Sequence, residues 1–295
     1  YQLLIFKIRD RRKVRAVEVY NFSAGPAMMP PEVVAQIQAE LISYRDSEMS
    51  VMEISHRSAL YEEMFQTAKA DLRELLAVPK DYKILFLQGG ASTQFTTIPL
   101  NLARKTKNIA FVDTGHWSQT AIADAQLVPE RKVDVVASGK SSAYSRLPHE
   151  ITLDKPYDYV HLTINNTIEG TMYRKLPELQ GQTVVGDISS NILGYQHDVQ
   201  KYGLLYASAQ KNIGPAGLTL VIVKESLLDK EQDLPSMLDY VKLIKRDSNL
   251  NTPPVFPIYA AGLVFQWLKK QGGVKQMQQQ NLSLIHISEP TRQAE

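Results

Sequence analysis

The chain reads as an α/β protein with a mostly parallel central sheet and helices on both faces. Two patterns predict this. Short apolar runs of strand length alternate with helical periodicity from about Pro31 to Val223. Polar residues of chemical interest then stand just past the C-terminal ends of several of those runs, where open α/β sheets place their ligands. Size agrees: 295 residues with 44% apolar content suit one large domain plus a smaller piece.

Taken in chain order, the first clear element is a helix over Tyr61 to Leu76, where Met64, Phe65, Ala68, Leu72 and Leu75 recur at helical spacing and read as core. Lys83 to Leu87 reads as a buried strand, and Gln88-Gly89-Gly90-Ala91-Ser92-Thr93-Gln94 turns from it into a helix. Free backbone N–H groups there, with the hydroxyls of Ser92 and Thr93, would form an anion site without a basic side chain. An ordinary strand-to-helix turn would look the same. The run fits neither the GxxxxGK[ST] nucleotide loop nor the GxGxxG fingerprint.

Asn108 to Val112 is the next strand, followed by Asp113-Thr114-Gly115-His116-Trp117-Ser118. Trp117 could stack on a flat heteroaromatic ring or simply pack in the core. Tyr159 to Thr163 leads into Asn165-Asn166-Thr167-Ile168-Glu169-Gly170, where Thr167 could bond a ring hydroxyl or serve only as a turn residue. The run Thr183-Val184-Val185-Gly186 ends in Asp187, either a helix N-cap or a ligand-facing carboxylate.

Lys211 lies in Ala207-Ser208-Ala209-Gln210-Lys211-Asn212-Ile213-Gly214-Pro215, just before the strand Leu218 to Val223. Small neighbours and a glycine-proline turn strip water from an amine and lower its pKa, as a Schiff-base lysine requires. A strand-end acid followed by such a lysine suits pyridoxal phosphate: the carboxylate keeps the pyridine nitrogen protonated, and the amine joins the aldehyde. Pro253-Pro254 and Pro257 then mark a rigid crossing segment, and Tyr259 to Lys270 reads as a helix joining two domains.

Composition narrows the alternatives. A net charge of +2 gives no case for nucleic acid, and no stretch is long and apolar enough to cross a bilayer. The absence of cysteine excludes disulfides, Cys-ligated zinc and thiol catalysis. Six scattered histidines show no HExxH spacing, so no metal is expected.

Seven stretches together resemble the phosphoserine aminotransferase family, in that family's order. They are Tyr20 to Ala27, Met52 to Arg57, Gly89 to Ser92, Thr114 to Trp117, Gly186 to Ser190, Ala209 to Gly217 and Asn251 to Pro254. The resemblance implies a homodimeric, fold-type I pyridoxal-phosphate transaminase of class V in the cytoplasm. It makes Lys211 the cofactor lysine, Asp187 the partner of the ring nitrogen, Trp117 the stacking residue and Thr167 the contact of the ring hydroxyl. Ala91 and Ser92 fall on the phosphate turn with Gln210 beside it, and Asn251 and Thr252 match residues that reach the phosphate of the neighbouring subunit. His56 and Arg57 are the candidates for the distal substrate anion, since a guanidinium can grip carboxylate or phosphate in a fork. The implied reaction takes an amino group from glutamate, leaving 2-oxoglutarate, and gives it to 3-phosphooxypyruvate to make O-phosphoserine, for serine and in some organisms pyridoxine synthesis.

Domain expectations follow. Residues 1–18 are a basic extension outside the resemblance, 19–31 an N-terminal segment, 32–258 the cofactor-binding large domain, 259–281 a connecting helix and the start of a small domain, and 282–295 a non-native tail. The rest of the family's small domain, with the arginine that grips the substrate α-carboxylate, has no match here. Two other readings stay open: another class V enzyme, and a chain that binds the cofactor without turnover.

Overall fold

A computed structural model describes residues 21–288 of the chain. The basic extension, Tyr20 and the last part of the expected tail lie outside the described residues. The elements begin with α1 (Pro31–Glu40), α2 (Ala59–Leu75), β1 (Tyr82–Leu87), α3 (Gly90–Leu102), β2 (Asn108–Asp113), α4 (His116–Gln126) and β3 (Lys132–Ser138). They continue with β4 (Tyr159–Thr163), β5 (Asn165–Asn166), β6 (Thr171–Met172), β7 (Val184–Asp187), β8 (Leu204–Ser208) and β9 (Thr219–Lys224). Three helices close the series: α5 (Tyr240–Lys245), α6 (Val255–Lys270) and α7 (Gly273–Ser288).

Seven strands form the central sheet in the order β1-β9-β8-β7-β4-β2-β3. β8, β7, β4, β2 and β3 pair in parallel, whereas β9 is antiparallel to both its neighbours, β1 and β8. β1 therefore runs the same way as the parallel set, and the C-terminal ends of β1, β2, β4, β7 and β8 share one edge. Alternate side chains feed two cores. On one face Val33, Tyr61, Phe65 and Phe265 from α1, α2 and α6 cover the sheet; on the other, Phe95, Ile98, Ala121 and Tyr240 from α3, α4 and α5 do so. Burying each large side chain contributes roughly 1.5–3 kcal/mol, which fixes the sheet edge as a rigid platform.

Helix α2 starts where Ser58 accepts a hydrogen bond from the Tyr61 N–H at 3.3 Å. Its Met64, Phe65, Ala68 and Leu72 are buried as the spacing predicts, with Leu75 only partly so. The helix expected from Tyr259 begins earlier, at Val255. Pro257 thus sits in its first turn, where a missing N–H costs nothing, and the rigid crossing ends at Pro254. Rather than merely linking two units, α6 buries Ile258, Tyr259, Ala261 and Phe265 in the main core. α7 carries on through Ser288, into the segment expected to be tail. Among the described residues no helix is long and apolar enough to cross a membrane.

Candidate active site

The shared sheet edge opens into a cleft lined by Gly90, Ala91, Ser92, Trp117, Asp187 and Lys211 among others. They arrive on the ends of four elements: the start of α3, the start of α4, the end of β7 and the turn after β8. Lys211 closes a single 3-10 turn, Ala209–Lys211, directly after β8. Its Nζ donates to Thr167 Oγ1 at 2.7 Å and to Ser190 Oγ at 3.2 Å, and lies 5.2 Å from the centre of the Trp117 ring. Burial pushes the Lys211 amine below its usual pKa, while the Asp187 charge pulls the other way.

Asp187 is 6% exposed at the end of β7. Its Oδ1 accepts from the Ser189 N–H at 2.9 Å. No helix directly follows Asp187, so the helix N-cap reading fails: the side chain closes a turn instead, and it lines the cleft. Burial raises the carboxyl's pKa, and the Ser189 hydroxyl and N–H, the Lys211 charge and the Tyr206 hydroxyl oppose that rise.

At the start of α3, Gly89 adopts φ +93° and has no side chain with which to cap the helix. A Cβ at Gly89 would fall 2.1 Å from Thr93 Oγ1, so the turn needs glycine. The first turn carries no acidic residue, which leaves its positive end open toward the cleft. The Ala91 N–H donates to Ser208 Oγ at 2.8 Å, tying this turn to the end of β8.

The N-terminal segment closes over the lysine. Ala27 N–H donates to the Gln210 carbonyl at 2.9 Å, and a Cβ on Gly25 would stand 3.0 Å from Lys211 Cγ. That close approach covers the aliphatic stem of Lys211.

An uncapped helix start, a buried acid, a desolvated amine and an indole around one cleft fit pyridoxal phosphate. The Thr163 hydroxyl, buried beside them without a partner, is a further polar group waiting on a ligand. The sequence-predicted Ala91, Ser92, Trp117, Thr167, Asp187, Gln210 and Lys211 thus come together. Four predicted residues do not. Asn251 and Thr252 are exposed beside Gln88, whose Nε2 donates to the Thr252 carbonyl at 2.9 Å. His56 and Arg57 lie in the loop before α2, with Arg57 exposed, and neither lines the cleft. The segments that carry the two pairs are tied together, because Tyr61 OH donates to Asn249 Oδ1 at 2.8 Å.

Ser190, Ser208, Thr163 and Gly25 were not singled out from sequence. Ser190 sits in the polar run after Asp187 and Ser208 three residues before Lys211, so proximity to strand ends was the available signal. Among the described residues no group of His, Cys, Asp or Glu could hold a metal ion.

Comparison with known proteins gives a consistent match. The profile of the family described as aminotransferase class-V matches residues 19–291. The phosphoserine aminotransferase of Lactiplantibacillus plantarum is 52% identical over 264 residues, spanning 89% of this chain and 73% of that protein. That of Listeria monocytogenes serotype 4b is 52% identical over 256 residues, spanning 87% and 70%. Among solved structures, phosphoserine aminotransferase from Bacillus circulans subsp. alkalophilus superposes with TM-score 0.86 at 44% identity, over 91% of this chain and 76% of the other. The pyridoxal-phosphate-bound enzyme from Trichomonas vaginalis gives 0.85 at 35% identity, over 90% and 79%.

Proposed function

The chain belongs to the phosphoserine aminotransferases, pyridoxal-phosphate-dependent transaminases of class V, and on that premise we propose that it transfers an amino group from L-glutamate to 3-phosphooxypyruvate. The products are 2-oxoglutarate and O-phospho-L-serine, and the reading makes the chain a cytoplasmic enzyme of serine synthesis, in a family that in some organisms also serves pyridoxine synthesis. The observation that carries this reading is the convergence of Lys211, Thr167, Trp117 and Asp187 on one cleft.

When bound, pyridoxal phosphate supplies an aldehyde that condenses with a primary amine and a pyridinium ring that accepts the electron pair of a deprotonated α-carbon. The chain's own residues do the rest. Lys211, partly buried beneath the segment around Gly25, carries an amine that burial makes easier to deprotonate, and it would move the proton to and from the substrate α-carbon. Asp187 holds a proton on the ring nitrogen. The open start of α3 with Ser92 binds the phosphate, Trp117 covers the ring, and Thr167 orients the ring hydroxyl.

A second copy of the chain completes the site in this reading. Asn251, Thr252, His56 and Arg57 all lie outside their own cleft, on segments tied together by the Tyr61–Asn249 hydrogen bond. Across a homodimer they would meet the partner's cofactor phosphate and the distal anion of the substrate.

Mixing the protein with pyridoxal phosphate should give a visible band that borohydride fixes to Lys211, shown by peptide mapping, and that glutamate bleaches. Lys211→Ala should show no fixation. A band that glutamate leaves unchanged reduces the function to cofactor binding, and the absence of any band in folded protein removes it.

A further inference from the structure

Behind the cleft, buried polar side chains on three adjacent strands form a line that no step above uses. Asp187 ends β7, and Tyr206 on β8 is its direct register partner. His161 on β4 pairs with Val185, two residues before Asp187 and so on the same face of the sheet. The three are 6%, 1% and 3% exposed. His161 Nε2 lies 2.8 Å from the Tyr206 hydroxyl, and its ring stacks on Phe111 with centroids 4.7 Å apart.

The direction of the hydrogen bonds follows from what is missing. His161 Nδ1 is buried and has no partner. A proton there would be an orphaned donor in an apolar layer, which folded proteins avoid more strictly than an idle acceptor. Burial also drives the His161 pKa down to about 3, so the ring is neutral and carries one proton. That proton belongs on Nε2, facing Tyr206. The Tyr206 oxygen then accepts, which leaves its own proton free to turn along the shared face toward its register partner Asp187; burial keeps that phenol protonated. The other titratable groups facing this line are Lys211 from the turn after β8, Tyr159 on β4 and Tyr240 at the start of α5.

We propose that His161 and Tyr206 form a one-way donor chain that keeps the Asp187 carboxylate ionised where the pyridine nitrogen of the cofactor is held. Both are positioning residues: neither touches the substrate, and both act through Asp187. The inference rests on the proposed role of Asp187, but its first test needs neither cofactor nor turnover.

Nitrogen-15 NMR of histidine-labelled protein without cofactor should show His161 as the Nε2–H tautomer, unchanged between pH 5.5 and 8, roughly the range in which a free imidazole titrates. An Nδ1–H tautomer overturns the proposal. Tyr206→Phe removes only the hydroxyl and should weaken pyridoxal phosphate binding about tenfold or more, the usual effect of losing a hydrogen bond to a charged group. In the same variant the ring-nitrogen titration, followed by absorbance of the bound cofactor, should move to lower pH, because a less ionised Asp187 holds the pyridinium less well. His161→Phe should shift it in the same direction, and His161→Gln, whose amide can still donate, should restore part of the loss. Unchanged affinity and titration in folded Tyr206→Phe refute the chain. Should that variant fail to fold, the tautomer measurement on the unsubstituted protein decides. If these readouts hold while glutamate leaves the cofactor band intact, the donor chain stands and the transamination reading alone fails.

Discussion

Replacing Gly115 should expose how the walls of the cleft are braced. The loop from Asn165 to Gly170 carries Thr167, and the first turn of α4 carries Trp117; Glu169 joins them by accepting from the His116 N–H at 2.7 Å. This carboxylate sits at the positive end of α4, where Gly115 has no side chain with which to cap. A hydrogen bond to a charged group at such a place contributes about 1.5–3 kcal/mol, so Glu169→Ala should destabilise the protein by about 2 kcal/mol. Gly115 adopts φ +144°, and an added Cβ would stand 2.2 Å from Glu169 Cδ. Gly115→Ala therefore incurs backbone strain of about 1–3 kcal/mol and also drives the carboxylate off its helix. In a Glu169→Ala background only the strain remains. The double variant should accordingly lose less than the two single variants together, by about 2 kcal/mol. Urea unfolding followed by circular dichroism measures the cycle, and pyridoxal phosphate titration of the same proteins should show weaker binding in each. If the two costs add within about 0.5 kcal/mol, Glu169 does not brace the turn and the reasoning fails.

Three further outcomes are expected. Phe65 is fully buried between Tyr61, stacked at 5.7 Å, and Phe86, edge-on at 5.3 Å; Phe65→Ala should cost about 3–5 kcal/mol in thermal or urea unfolding without moving the cofactor band, and a smaller loss would show that the core can close the gap. Burial holds the His197 pKa down to about 4, whereas the unfolded chain takes up that proton near pH 6.5. Its contribution to stability is thus present above the unfolded pKa and lost as pH falls, by up to about 1.4 kcal/mol per pH unit; His197→Gln should flatten the pH dependence of unfolding between roughly pH 6.5 and 4, and an unchanged slope contradicts the assignment. Lys211→Ala and Arg57→Ala proteins, each inactive alone, should regain activity when their subunits are mixed and exchanged, because one kind of hybrid site is intact; no recovery in verified hybrid dimers would place Arg57 outside the partner's cleft.

Much of the catalytic edge was legible because its parts are local. A lysine among small residues, an acid at the end of an apolar run and a Gly-Gly turn into a helix each carry their chemistry in a few adjacent residues, and the sheet then brings the ends of β1, β7 and β8 together. The contacts between distant segments were not legible. Lys211 meets Thr167 and Ser190, and Tyr206 meets His161, only because parallel register places them side by side. Strand β3 escaped notice for a different reason: its residues are half-exposed at the sheet margin and show no apolar run. The reversed direction of β9 leaves no trace in composition, since a buried strand looks alike in either sense. His56, Arg57, Asn251 and Thr252 were singled out by resemblance, and a single chain leaves them outside their own cleft.

The reversal of β9 has a consequence for the order in which a ribosome can release a working protein. β1, whose end sets the phosphate turn, finds its described sheet partner only in residues 219–224, so it waits until β9 has been made. At about 5–20 residues per second the delay is on the order of ten seconds. During that interval the apolar β1 is a segment that helper proteins would have to shield. The same strand that admits it to the sheet comes soon after the lysine turn, so the two halves of the cleft are joined in one event.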